Sequence, residues 1–294
     1  MPSLKDIKRR IKSVKNTQQI TKAMKMVSAA KLKRAQDEIV AARPYAEKIN
    51  ELTMSLASAT AADSHPLLAR HEGNRVALIV MTSDRGLCGS FNASMIRTVE
   101  RYVRESVDAE LSYYFIGKRG IEYFKKRKYN IFKERPVGGA RPSYASAVEI
   151  ATLVMGMYLN NEIDEVNLVY SEFKSALTQK PAIQRLLPIS AAAPALAEGA
   201  QAPAEETGGI EAKFEPSKAE VLAALLPKYV EVQVFRALLE SSASEHGSRM
   251  TSMDSASKNA SAMIGGLTLK YNRLRQAAIT KELMEIIGGA EALK

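Results

Sequence analysis

The feature that most narrows the choice of folds is a long apolar seam in the last third of the chain. Leu239, Ala243, His246, Met250, Met253, Ser257, Ala260, Ile264, Leu267, Tyr271, Leu274 and Ala278 follow one another at alternating steps of four and three residues. That is the spacing of a helix lying along a second helix, and alanine and serine within it let two backbones approach closely. Pro227 is placed to open such a helix in its first turn. From Lys228 to Ile287, at about 1.5 Å per residue, the helix reaches roughly 90 Å, far more than a compact domain needs. Gly265 and Gly266 fall inside it, each costing about 1 kcal/mol relative to alanine.

A partner for this seam stands at the other end of the chain. Leu4, Ile7, Ile11 and Val14 step by three and four; the seam turns polar at Gln18 and Thr21, and Ile20, Met24 and Val27 form a second apolar set on a shifted face. Leu32, Ala35, Ile39 and Ala42 follow, then Ile49, Leu52, Leu56 and Ala59. The pattern predicts a helix of forty residues or more over residues 1–60, with a kink or break at Pro44.

Charge is concentrated on that same element. Of the 42 basic side chains, eleven lie in residues 1–36 against the single acid Asp6; the other 31 are balanced by the remaining 31 of 32 acids. A basic, amphipathic start can be an organelle transit peptide. The bias is to lysine rather than arginine, however, and the periodicity runs on into a stretch with Asp37, Glu38 and Glu47. We read it as part of a mature helix and expect a bacterial protein.

Between the long helices the apolar period changes. Residues 75–82, 110–117, 129–133 and 165–172 alternate or run apolar as strands, and 92–106, 119–127 and 144–161 read as helices. Alternating strand and helix predict a small open α/β domain of Rossmann type over 75–190, with a mostly parallel sheet. Residues 190–216, rich in Ala, Pro, Gly and Glu, are expected to be a mobile loop, and 217–294 the second long helix.

Catalytic and cofactor signatures are sparse. The loop Thr82–Asn92 follows an apolar strand and opens a helix, where doubly wound folds place phosphates. Yet the chain contains neither GxGxxG nor GxxxxGK[ST], and a tight turn accounts for the loop's glycines. Cys88 is the only cysteine; it has no histidine near it in sequence, and His65, His71 and His246 are not at metal-ligand spacing. Asp84 reads as a turn-capping residue, and Lys118 and Arg119 as a solvated helix start. No acid, base and electrostatic stabiliser assemble, so no cofactor and no active site are expected. The longest apolar run, Ala151–Leu159, is too short to cross a bilayer.

The basic helix allows three readings: a solvated face, a nucleic-acid patch or a dock for acidic protein segments. Residues 1–36 contain no aromatic side chain on which a base could stack, and Gln18 and Thr21 beside Met24 and Met26 suggest a helix contacted on more than one side. A nucleic-acid binder would show strong, salt-sensitive binding by the isolated chain; a nucleotide-dependent enzyme would turn over substrate alone.

Two long segments carry a resemblance. SLKDIKRRIKSVKNTQQITKAMKMVSAAKLKRAQ and ASEHGSRMTSMDSASKNASAMIGGLTLKYNRLRQAAITKELMEIIGGAEAL resemble the terminal helices of the F-type ATP synthase gamma subunit family, and DRGLCGSFN is similar to its central pattern, with Ser90 where a second glycine usually stands. The resemblance implies an antiparallel coiled coil inserted into a ring of alpha and beta subunits, on an α/β foot resting on the membrane c ring. It implies a rotor shaft without catalysis, on the cytoplasmic face of the inner membrane and attached only through the complex. Alpha, beta and epsilon subunits and the c ring are the implied partners; nucleic acid is not.

By the same resemblance, Lys22, Met24, Lys25 and Arg249 lie in the neck near acidic segments of beta. Arg275, Gln276 and Thr280 make polar contacts deeper in the ring, and Ile286 and Ile287 turn in an apolar bearing. Phe214 and Glu215 meet the c ring. The chain departs from the family at Gly265 and Gly266, where better helix formers are usual, and residues 190–215 lack the cysteines of a chloroplast-type thiol switch.

Overall fold

The computed structural model describes residues 3–58, 65–139, 141–189 and 217–291. They divide into two compact units, Met1–Ala30 with Arg249–Lys294, and Lys31–Ser248. Each of the two long helices, α1 (Leu4–Ser58) and α5 (Lys218–Glu291), contributes to both units.

The larger unit is built on five strands, β1 (Arg75–Met81), β2 (Glu110–Ile116), β3 (Ile131–Arg135), β4 (Glu165–Phe173) and β5 (Gln179–Leu187), in the order β3-β2-β1-β4-β5. The first four run parallel, with Arg75 beside Glu110 and Met81 beside Ile116. Successive side chains of a strand point to opposite faces, and β1 fills both. Val76, Leu78 and Val80 join Met95 and Val99 of α2 (Phe91–Glu105) and Ile121 and Phe124 of α3 (Lys118–Lys125). Ala77, Ile79 and Met81 join α4 (Tyr144–Leu159) and the inner segments of α1 and α5. Full burial on both faces is why the central strand reads as one apolar run.

β5 is an addition to the strands read from sequence. It pairs antiparallel with β4, and in QKPAIQRLL only the last two residues are buried. Pro181 also argues against a central strand, and β5 indeed lies at the sheet edge, where proline is tolerated.

Neither Pro44 nor Pro227 ends or opens a helix. α1 runs through Pro44 without a break, and α5 begins at Lys218, so Pro227 lies inside it rather than in its first turn. A proline in a helix leaves the carbonyl four residues earlier without its donor. Those carbonyls belong to Val40 and Ala223, both exposed, so water can satisfy them.

The smaller unit pairs the start of α1 with the end of α5. Lys25 Nζ lies 2.5 Å from Asp254 Oδ1, and the α1 seam on the N-terminal side of Lys25 is covered while the α5 seam is covered on the C-terminal side of Asp254. The pair is therefore antiparallel. Ile7, Met253 and Ala260 are buried along it, and Ile264, Leu267, Tyr271, Leu274 and Ala278 are partly covered. From residue 279 to 289 every side chain of α5 is exposed.

The shifted apolar face expected on α1 is not its packing face. The covered positions continue at 18, 21, 25, 28, 32 and 35, with Thr21 and Ser28 buried, while Ile20 is 59% and Val27 57% exposed. A heptad seam keeps its phase through polar residues when small or hydrogen-bonded side chains fit it; the Thr21 hydroxyl donates to the Gln18 carbonyl at 3.0 Å. Gly265 and Gly266 are helical and exposed, and a Cβ on either would meet nothing within 4 Å.

Candidate partner-contact surface

Along α1, ten of the eleven basic side chains in residues 1–36 are exposed. Among the described residues only Lys25 and Lys33 of these eleven form ion pairs, Lys33 with Asp37 on its own helix at 2.8 Å. Lys22 is exposed and Met24 half-buried. Lys25 is held by Asp254, which also accepts from Lys258 at 2.8 Å. Hydrogen bonds from Lys25 and then Lys258 hold the Asp254 carboxyl down to about 2. Arg249 is buried, unlike the other basic residues expected to contact partners.

Further along α5, Arg275, Gln276 and Thr280 are exposed, and the Thr280 hydroxyl donates back to the Gln276 carbonyl at 3.0 Å. Ile286 and Ile287 are 69% and 57% exposed. Phe214 and Glu215 lie outside the described residues. Sequence reasoning missed several members of this surface on α5: Ile279, Leu283 and Met284 are all at least half exposed, as is Met26 on α1. Ile20 and Val27, read from sequence as part of a second apolar set on a shifted face, also lie on this surface. The signal that separates them was present, since the heptad phase set by Leu4 and Ile7 passes through Gln18, Thr21 and Lys25 and leaves Ile20 and Val27 outside. Large apolar side chains left in water along a helix mark a surface that something else covers.

The loop after β1 in the larger unit shows what the apparent phosphate site does. The strand order reverses beside β1, the usual place for a ligand crevice. Here the loop is closed on itself and on α5. Ser83 N donates to Asn92 Oδ1 at 3.0 Å, Asn92 Nδ2 donates to Cys88 Sγ at 3.2 Å, and Ser248 Oγ of α5 donates to the Cys88 carbonyl at 2.7 Å. Cys88 is buried.

Asp84 caps distant backbone rather than its own turn. Its carboxylate accepts from the amides of Lys118, Val137 and Gly138 at 2.9, 3.1 and 2.6 Å. Burial pushes its pKa upward, but these donors outweigh burial and hold it below the ordinary value. Gly117, at φ +98°, lets the chain pass Thr82, whose carbonyl oxygen would lie 2.1 Å from a Cβ. Among the described residues no group of three or more His, Cys, Asp or Glu side chains is placed to hold a metal ion, and no helix is long and apolar enough to cross a membrane.

One unit is an open α/β domain and the other an antiparallel helix pair, and the sequence profile of the ATP synthase family matches residues 3–293. Over the full length of both chains, this one is 53% identical to the ATP synthase gamma chain of Geobacter metallireducens and 52% identical to that of Geotalea uraniireducens. The chain belongs to the ATP synthase gamma chain family. Among solved structures, it is similar to a chain from the central stalk and c ring of the Tetrahymena thermophila mitochondrial ATP synthase, at 25% identity and a TM-score of 0.60, covering 81% of this chain and 99% of that one.

Proposed function

We propose that this chain is the central rotor shaft of a proton-translocating F-type ATP synthase, coupling rotation of a membrane c ring to conformational change at catalytic sites in an alpha/beta ring. The observation that carries the reading is the full-length match to gamma chains at above 50% identity, which includes both terminal helices and the sheet domain. Epsilon is a further partner. The chain itself is non-catalytic and sits peripherally on the cytoplasmic face of the inner membrane, attached through the complex.

The mechanism follows from asymmetry. α1 and α5 differ in sequence and length, so the pair presents a different face to each of three surrounding subunits. A partner shifts a conformational equilibrium only by the difference in its contact free energy with the two states, and a turning asymmetric surface supplies that difference to each site in sequence.

We assign Lys22, Met24, Lys25 and Arg249 to the neck, where basic side chains meet acidic segments of beta. Arg275, Gln276 and Thr280 contact beta deeper in the ring, and Ile286 and Ile287 form the bearing. Phe214 and Glu215 meet the c ring. Exposed ion pairs are weak and screened over about 8–10 Å, which lets them exchange as the shaft turns. The exposure of Lys22, Arg275, Ile286 and Ile287 supports these roles.

The test is assembly. Co-expressed with alpha and beta subunits of the same organism, the chain is expected to co-purify as a complex that hydrolyses ATP. Recovery of the chain alone, with alpha and beta assembling without it, would contradict the reading.

A further inference from the structure

α5 is seated on the sheet domain through two kinds of contact. From Leu222 to Ala237 its buried side chains are largely apolar: Leu226, Tyr229, Val230, Val232 and Val234 join the main core. A second stripe, at steps of seven, four and four, consists of Gln233, Glu240, Ser244 and Ser248, all buried. Three of these bond to three separate segments. Gln233 Oε1 accepts from Gln184 Nε2 of β5 at 3.1 Å, Ser244 Oγ donates to the Ser171 carbonyl of β4 at 3.0 Å, and Ser248 Oγ donates to the Cys88 carbonyl at 2.7 Å.

The serines are not explained by helix formation or by space. Alanine is a better helix former and packs in the same room. A hydroxyl inside a helix commonly bonds back to the carbonyl four residues earlier, as Thr17, Thr268 and Thr280 do in this chain. Ser244 and Ser248 donate outward instead. Beside them a Cβ on Gly247 would lie 3.4 Å from the Ala176 Cα and the Phe173 ring, so the helix backbone runs in contact with the β4–β5 turn.

Apolar burial is non-directional, and a helix turned or shifted in an apolar groove finds substitute contacts. Hydrogen bonds are directional. From Gln233 to Ser248 the three anchors span roughly 20 Å of helix at about 1.5 Å per residue, and together they fix both rotation about the helix axis and translation along it.

We propose that Gln233, Ser244 and Ser248 are positioning residues that lock the angular setting of α5 in its seat, so that turning the sheet domain turns the shaft helix instead of slipping around it. The proposal rests on the rotor reading. It distinguishes residues that transmit torque from residues that only hold the domain together.

The experiment uses the assembled enzyme in proteoliposomes, with chains carrying Ser244→Ala and Ser248→Ala together, Val230→Ala as a stability-matched apolar control, and Ser244→Ala alone, which keeps the Ser248 anchor. Three quantities are read: ATP hydrolysis, protons pumped per ATP against an imposed gradient, and stall torque on a bead attached to the sheet domain. Hydrolysis is expected to persist in every variant. Each lost bond is expected to raise the frequency of slip under load by roughly fivefold to tenfold, the factor set by a net hydrogen bond. The double variant should therefore lose pumping ratio and stall torque most, the single variant less, and Val230→Ala not at all. Unchanged coupling in the double variant, or an equal loss in Val230→Ala, would overturn the proposal. If the unmodified assembly hydrolyses ATP without turning, the rotor reading itself fails, and this proposal with it.

Discussion

Residues 222–248 and 279–289 belong to one helix, and their surroundings are opposite. In the first stretch Leu222, Leu226, Val230 and Val234 are buried against the sheet domain; in the second Ile279, Leu283, Met284, Ile286 and Ile287 are exposed although they are equally apolar. The first stretch is held by its own chain. Among the described residues, the apolar side chains of the second are covered by no other element, which makes them a statement about a partner rather than about the fold.

Introducing a charge separates the two most sharply. Leu226→Asp places a carboxylate at a position with no exposure, and is expected to cost about 3–5 kcal/mol or prevent folding of the sheet domain. Ile286→Asp should change thermal unfolding of the isolated chain by no more than about 0.5 kcal/mol, yet weaken rotation within the complex. Equal destabilisation by the two would erase the distinction.

Charge removal sharpens it next. Neutralising Lys22, Lys25, Lys31, Lys33 and Arg34 together should lower protons pumped per ATP more than it lowers hydrolysis, with a defect that varies with ionic strength because exposed charges are screened over about 8–10 Å. The same number of neutral substitutions at Lys118, Arg119, Lys125, Lys126 and Arg127 of the sheet domain serves as control. Equal effects would make the neck charges a solvated face.

Smaller effects are expected in the helix pair itself. Gly265→Ala and Gly266→Ala meet no neighbour and should each stabilise the local helix by about 1 kcal/mol, read as slower amide exchange around residues 262–270. The Asp254 carboxyl should titrate near pH 2, below its unfolded value of about 3.9. A folded pKa below the unfolded one stabilises above the unfolded value and is lost as pH falls through the folded one. Acidification from about pH 4 to 2 should therefore loosen the pair, with carboxyl NMR of the unmodified chain following the titration, and Asp254→Asn should remove that pH dependence as read by amide exchange along the pair.

The parts that sequence made legible are those where one physical requirement dominates. β1 declares itself because both of its faces are buried, and the α5 seam because Met253 to Ala278 keep a single phase. β5 was illegible because an edge strand with two buried residues has little pattern to show. Pro227 misled as a helix opener because a proline penalty depends on whether the freed carbonyl can reach water, and sequence does not say which side faces solvent. The expected contact residues came from resemblance and not from pattern; exposure of Ile20 and Val27 follows from the seam's phase only if polar Thr21 and Ser28 are accepted as packing residues.

Rotation can be observed directly. With the alpha/beta ring immobilised and a probe fixed to the sheet domain of this chain, ATP is expected to drive unidirectional, stepwise turning of the probe at a rate that follows hydrolysis. Continued hydrolysis with a stationary or randomly moving probe, in complexes shown to contain the chain, would contradict its role as the shaft.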